Sequence, residues 1–248
     1  MRLNELRDYI GSELVVSRFR DYCPNGLQVE GRAEVQRIAT GVTASQAVLE
    51  AATAWGADAI LVHHGYFWRN EDAAITGIKK RRVSHLLQHD TSLLAYHLPL
   101  DAHPELGNNA QLRERLGFVE QGRFGEQDIA MYGTLAQPQT LQQLAQSIQH
   151  ALQRAPQVIG YANPNIARIA WCSGGGQGFF EQAVALGVDV FLTGEISEQN
   201  VHVAQETGVA FIAAGHHATE RYGIQALGEH LAGRFGLEHR FFDQDNPV

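Results

Sequence analysis

The feature that most constrains this chain is a stretch of sequence that occurs twice. Sliding the sequence along itself by 131 positions sets Ile38, Ala39, Gln46, Glu50, Ala52, Ala54, Gly56, Asp58 and Leu61 on Ile169, Ala170, Gln177, Glu181, Ala183, Ala185, Gly187, Asp189 and Leu192. Each copy reads as one strand, helix, strand unit. In the first, Arg37 to Val42 has the composition of a strand, and Ser45 is placed to cap a helix whose Ala47, Val48, Ala51, Ala52 and Trp55 share a face. Gly56 ends that helix, and Ala59-Ile60-Leu61-Val62 is the unbroken apolar run of a strand covered on both faces. Past the shared unit the offset falls to 119, which sets Leu93 to His97 over Ile212 to His216 and Asp101 over Glu220. Both halves then end a strand with His-x-x-x-acid. The expected fold is α/β: two similar α/β domains related by an internal repeat, residues 1–124 and 125–248, meeting near Gly122-Arg123-Phe124-Gly125 with elements free to interleave. Each would carry a mostly parallel sheet flanked by helices.

Other elements fill this outline. A basic helix is expected near Ile78 to His89 and a strand over Ser92 to Tyr96. The second half begins with a strand over Ile129 to Leu135 and a helix from Thr140, and passes through a Pro-bearing loop at Gly160 to Asn165. A final helix from about Ala218 places Ile224, Leu227 and Leu231 on one face.

Composition narrows the chemistry. With 44% hydrophobic and 19% charged residues the 248-residue chain has ample material for packed cores. No apolar run approaches the roughly 18 residues that span a bilayer, and the start lacks a signal-peptide apolar region, so a cytoplasmic protein is expected. A net charge of −8 opposes sequence-independent attraction to nucleic acid or anionic membrane, with Lys79-Lys80-Arg81-Arg82 as a local exception. Cys23 and Cys172 are the only cysteines and form no CxxC, which leaves neither a disulfide framework nor a thiolate zinc site. The chain has twelve histidines, so imidazole is the metal ligand to look for.

Four polar clusters each stand directly after an apolar strand: His63-His64, His97 to Asp101, Thr193-Gly194-Glu195, and His216-His217 to Glu220. That edge, the carboxyl ends of strands, is where open α/β sheets bind ligands. His63 and His64 are adjacent, so on an extended chain their side chains diverge and would address two ions. His216 and Glu220, four apart at a helix start, share a face and fit a common metal; His217 and Glu220, three apart, compete with that pairing. His97 and Asp101 have the same spacing, but Pro99 disfavours a regular helix there, so their convergence needs a turn. Imidazole with carboxylate suits iron, zinc, manganese or nickel better than calcium. His97 and Glu195 are equally suited to hydrogen-bonding the ligands from behind. Gly174-Gly175-Gly176-Gln177-Gly178 stands where backbone N–H groups can cradle phosphate, although a tight turn explains it equally well. His85, His89, His150, His202, His230 and His239 read as helix-face or surface residues.

Val62-His63-His64-Gly65, Tyr96-His97-Leu98-Pro99-Leu100-Asp101, Thr193-Gly194-Glu195 and Gly215-His216-His217-Ala218-Thr219-Glu220 together resemble the Nif-three-like family, also called GTP cyclohydrolase I type 2 homologues. The similarity extends to Asn25-Gly26-Leu27-Gln28-Val29 and to Trp171 through Gly176, and is nearest the short bacterial form that lacks an inserted middle domain. The resemblance implies a dinuclear centre of two divalent transition-metal ions at the interface of the two domains. It assigns His63, His64, Asp101, His216 and Glu220 as ligands, with Glu220 bridging, and so selects His216 over His217. It also implies a homohexameric ring whose sites face an internal cavity.

Two divalent ions against two ligand carboxylates leave net positive charge, which attracts an anionic or carbonyl substrate and acidifies bound water. The expected activity is that of a metal-dependent hydrolase on a small anionic or nucleotide-like substrate, for a purine by attack at C8, with Glu195 or His97 as proton carrier. A phosphoesterase using the same two ions is the enzymatic alternative. A metal-binding, ring-forming scaffold or regulator without turnover is the alternative from another class.

Overall fold

In the computed structural model every residue is described except Ala162 and Pro164, so the Pro-bearing loop expected over 160–165 lies in part outside the described residues. The chain runs through α1 (Leu3–Glu13), β1 (Gly26–Val29), β2 (Arg37–Thr43), α2 (Gln46–Trp55), β3 (Ala59–His64), α3 (Gly77–Gln88), β4 (Ser92–Ala95) and α4 (Leu98–Ala102). It continues through α5 (Asn108–Leu116), β5 (Phe118–Phe124), β6 (Ala130–Gln139), α6 (Leu141–Leu152), β7 (Gln157–Ile159) and β8 (Ile166–Trp171). Last come α7 (Phe180–Ala185), β9 (Val190–Thr193), α8 (Glu198–Thr207), β10 (Ala210–Ala213), α9 (His216–Phe235) and β11 (Glu238–Phe241). This is a mixed α/β fold with two sheets, ordered β1-β4-β3-β2-β11 and β5-β6-β8-β9-β10-β7. Among the described residues no helix is long and apolar enough to cross a membrane.

Local chemistry accounts for the repeated unit. The Ser45 hydroxyl accepts from the Val48 N–H at 3.3 Å, and Gly56 closes α2 in the left-handed conformation at φ +85°. The register of the parallel strands is then fixed by one aspartate. Asp58 Oδ2 accepts from the Gln36 and Arg37 N–H groups at 2.8 and 2.9 Å. The Asp58 N–H donates to the Arg37 carbonyl, and its own carbonyl accepts from the Ser92 N–H. One residue thereby ties the starts of β2, β3 and β4. The second sheet repeats the device: Asp189 Oδ2 accepts from the Ala167 and Arg168 N–H groups, both at 2.8 Å, and its backbone joins Arg168 and Ala210. Ile38 stands opposite Ala59 as Ile169 stands opposite Val190.

The third strands show where the sequence alignment slips. Leu94 lies opposite Leu61, and Ile212 lies opposite Leu192, an offset of 118 rather than the expected 119. The two His-x-x-x-acid patterns are therefore one residue out of phase: His97 precedes its helix as the cap, whereas His216 is the first residue of α9. The second sheet is also mixed rather than mostly parallel. The pairs β8/β9 and β9/β10 are parallel, but β5/β6, β6/β8 and β10/β7 are antiparallel, and of these only β5/β6 joins strands consecutive in the chain.

The chain forms two compact units, Met1–Gly107 with Gly223–Asp245 and Asn108–Tyr222 with Asn246–Val248, a division that differs from the expected 124/125. The reason lies in pairing and burial. The strand β5 pairs with β6, which commits the segment ahead of it to the second unit. The α9 stripe Ile224, Leu227 and Leu231 is fully buried with Leu6, Ile10, Leu61 and Leu94 in the first unit's core, and β11 extends that unit's sheet beside β2. The second core gathers Leu144, Ile148, Trp171, Leu192 and Ile212.

Asp58→Ala removes an acceptor from two backbone N–H groups and from Arg32, 2.9 Å away. It should lower unfolding stability by about 2 kcal/mol, read as a shift in the urea midpoint.

Candidate metal centre

In the first unit, β3 ends on His63 and His64, and β4 leads through Tyr96 to His97. His63 is fully buried, and its Nδ1 lies 3.0 Å from the Tyr96 carbonyl oxygen. A carbonyl only accepts, so the Nδ1–H donates and Nε2 is the nitrogen turned toward Asp101. That Nε2 is 3.5 Å from Asp101 Oδ1, whose side chain is nearly as buried. An imidazole nitrogen and a carboxylate oxygen facing each other in a buried place fit a cation held between them. Asp101 reaches this position from α4, where Pro99 was expected to disfavour a helix. Pro99 stands in the first turn, where no intrahelical N–H is required, and the Leu100 and Asp101 N–H groups close that turn onto the His97 carbonyl.

His64 does not diverge from His63 as a flat strand would have it. Their ring centroids are 4.6 Å apart, and one nitrogen from each of His63, His64 and His97 lies within 4.8 Å of the others. Partners on neighbouring strands turn the two rings. His63 is drawn to the carbonyl following β4, and His64 Nδ1 lies 3.2 Å from Thr43 Oγ1 at the end of β2.

Behind His97 stands a residue that the sequence reading missed. Asp21 Oδ1 accepts from His97 Nδ1 at 2.8 Å, and its Oδ2 accepts from Leu98 N–H and Asn25 Nδ2. Burial pushes the Asp21 carboxyl upward, but the bonds from His97, Asn25 and the Tyr22 N–H more than offset it and hold the group well below the usual carboxylate range. The spacing Asp21 to Asn25 in a loop ahead of β1 was the available signal. Cys23, beside this aspartate, is pushed up to about 12 by burial and by the Asp21 charge, so it stays a thiol.

In the second unit, β9 runs into Thr193-Gly194-Glu195, and α9 opens with His216. The His216 Nδ1 is 2.7 Å from Glu195 Oε1, and its Nε2 is 3.2 Å from Glu220 Oε2, one helical turn on. Burial pulls the His216 imidazole down, but the two carboxylates outweigh that and raise it to about 9. Glu195 therefore orients His216 from behind. Gly174, at φ +60°, makes room in front: a Cβ there would collide with Glu220 Oε1. The glycine run thus houses a carboxylate. Its Gly174 and Gly176 N–H groups are already donated to Thr219 and Thr193 hydroxyls, which weakens the phosphate-cradle reading. His217 joins none of the groups of three or more ligand side chains found among the described residues, and its N–H donates to the Val248 carbonyl.

The family model Duf34/NIF3 (NGG1p interacting factor 3) matches residues 1–247. The chain belongs to the DUF34/NIF3 family. A protein of Pseudomonas aeruginosa named GTP cyclohydrolase 1 type 2 homolog is 56% identical over 238 residues, covering 95% of this chain and 94% of its own. A protein of Neisseria meningitidis with the same name is 56% identical over 245 residues, covering 98% of each. The solved structure of protein ybgI, of unknown function, matches with a TM-score of 0.97 at 49% identity over 100% of both chains. TTHA1606 from Thermus thermophilus matches with a TM-score of 0.92 at 34% identity, again over 100% of both. The DUF34/NIF3 motifs quoted from the sequence are the segments that carry the imidazole and carboxylate groups of both units.

Gly174→Ala should displace Glu220 and strain the backbone at once, at a cost of at least about 1 kcal/mol. Thermal unfolding of the purified variant measures it, with Gly178→Ala, which meets nothing within 4 Å, as the control.

Proposed function

We propose that this DUF34/NIF3 chain is a metal-dependent hydrolase with a dinuclear centre, acting on a small, anionic, nucleotide-like substrate in the cytoplasm. His63, His64 and Asp101 of the first unit and His216 and Glu220 of the second would hold two divalent transition-metal ions, iron, zinc, manganese or nickel, with Glu220 bridging. The observation that carries this reading is the buried His63 Nε2 facing Asp101 Oδ1 at 3.5 Å while Nδ1 is held by the Tyr96 carbonyl. His216 repeats the logic, with Glu195 behind it and Glu220 in front. The relatives named GTP cyclohydrolase 1 type 2 homolog support a nucleotide as the first substrate class to try.

Bound there, the ions would supply Lewis acidity and acidify water near neutral pH. The chain's own residues do the rest. Asp21 fixes the His97 ring through Nδ1 and leaves Nε2 to carry a proton to or from the substrate. Glu195 keeps the His216 Nδ1–H directed away from the ligand side of the ring. Family resemblance further supports a homohexamer, which light scattering would register as six times the 27.3 kDa chain.

Two measurements test the proposal. Elemental analysis of folded protein should give up to two transition-metal ions per chain. Glu220→Gln should empty both positions, His64→Ala chiefly one, and His217→Ala neither. Metal-loaded protein should then hydrolyse a purine nucleotide in a panel that includes phosphoesters. Absence of bound metal after metal is supplied sinks the centre. Full metal content with no turnover across the panel instead favours a scaffold or regulator.

A further inference from the structure

Four rings surround the imidazole of His97. His63 and Trp68 have centroids 5.0 Å from it, His64 5.7 Å and Tyr22 6.3 Å. Two of these, Trp68 and Tyr22, have no place in the metal reading, and both belong to loops. A core aromatic is normally covered by apolar neighbours, whereas Tyr22 is 50% exposed and Trp68 stands edge-on to His97 with an interplanar angle of 86°.

Both rings are held with unusual firmness for loop residues. The backbone on either side of Tyr66 is clamped by the Gln28 side chain, which accepts from the Tyr66 N–H at 2.7 Å and donates to its carbonyl at 3.1 Å. Phe67 then adopts φ +65°, a left-handed conformation that a bulky residue rarely takes, and this turn delivers Trp68 to the histidines. The indole Nε1–H donates to the Gly65 carbonyl. The next residue, Arg69, ties this loop to the one bearing Tyr22: its N–H donates to the Tyr22 carbonyl at 2.6 Å, its guanidinium donates to the Asp21 carbonyl at 2.8 Å, and its Cζ lies 5.7 Å from the Tyr22 ring centroid. Backbone strain spent on presenting one aromatic beside a ligand-rich cluster, with a second aromatic half exposed next to it, is the pattern of a binding clamp.

We propose that Trp68 and Tyr22 form an aromatic clamp beside the His63, His64 and His97 cluster and receive the planar heteroaromatic ring of the substrate. The proposal rests on the reading of this cluster as the reaction centre and narrows its substrate class. Aromatic faces and edges attract flat π-systems through offset and edge contacts, and every nucleobase has such a face. The Arg69 guanidinium beside the Tyr22 ring favours rings that carry acceptor atoms over plain hydrocarbon rings. A sugar phosphate without a base gains none of these contacts.

Calorimetry with guanosine 5′-monophosphate and ribose 5-phosphate tests the clamp, with metal content measured on the same samples. Wild-type protein should bind the nucleotide at least about tenfold more tightly than the sugar phosphate. Tyr22→Ala and Trp68→Ala should each remove roughly tenfold of that preference, Trp68→Phe should keep most of it, and affinity for ribose 5-phosphate should not move. Tyr22→Ala, at a half-exposed site, keeps the test sound if Trp68→Ala fails to fold. Equal affinity for the two probes, binding of neither, or nucleotide binding unaffected by both alanine variants overturns the clamp. Loss of the clamp in metal-replete protein leaves the metal reading standing. Nucleotide preference in protein that takes up no metal keeps the clamp and removes the metal centre.

Discussion

The structure of each unit depends on an aspartate that stands just before its second parallel strand. Asp58 and Asp189 each use a carboxylate oxygen, an N–H and a carbonyl to anchor three neighbouring strands at their amino ends. In a sheet a one-residue slip turns every side chain to the other face. Pinning the starts therefore decides what emerges at the far ends. In the first unit it brings the end of β3 level with the end of β4, so that the His63 Nδ1–H meets the Tyr96 carbonyl and its other nitrogen meets Asp101. In the second it sets Thr193 beside Gly174 and leaves Glu195 to hold His216.

Much of this was legible in the sequence because it is local or periodic. The βαβ repeat, the Ser45 cap, the Gly56 stop and the clusters after the strands follow from residue type and spacing. What escaped it depends on distant partners. The chain segment around Phe118 reads as nothing in particular until β6 pairs with it, and β11 becomes a strand only because β2 offers it an edge. The slip from 119 to 118 was hidden because Leu93 and Leu94 are equally good occupants of a buried strand. Beyond its spacing to Asn25, the role of Asp21 depends on partners, His97 and Leu98, that lie more than seventy residues away. The choice of His216 over His217 came from family resemblance, and spacing left it open.

Both imidazoles that lead the ligand clusters are treated alike. Each has an acceptor fixed to Nδ1, a backbone carbonyl for His63 and a carboxylate for His216, and each presents Nε2 to a carboxylate from a helix that follows a strand. The two carboxylates beside His216, Glu220 at Nε2 more than Glu195 at Nδ1, give it a strong affinity for its second proton.

The way the units share the chain has a consequence for synthesis. The body of the second unit, Asn108–Tyr222, is continuous in sequence, whereas the first needs Gly223–Asp245 to supply buried helix residues and the strand beside β2. During translation the earlier-made unit must remain with an open sheet edge and an incomplete core while the later-made one closes. The last strand of the first sheet is thus made long after its partner, and β2, whose pairing with Glu238–Phe241 spans some two hundred residues, is the edge left open meanwhile.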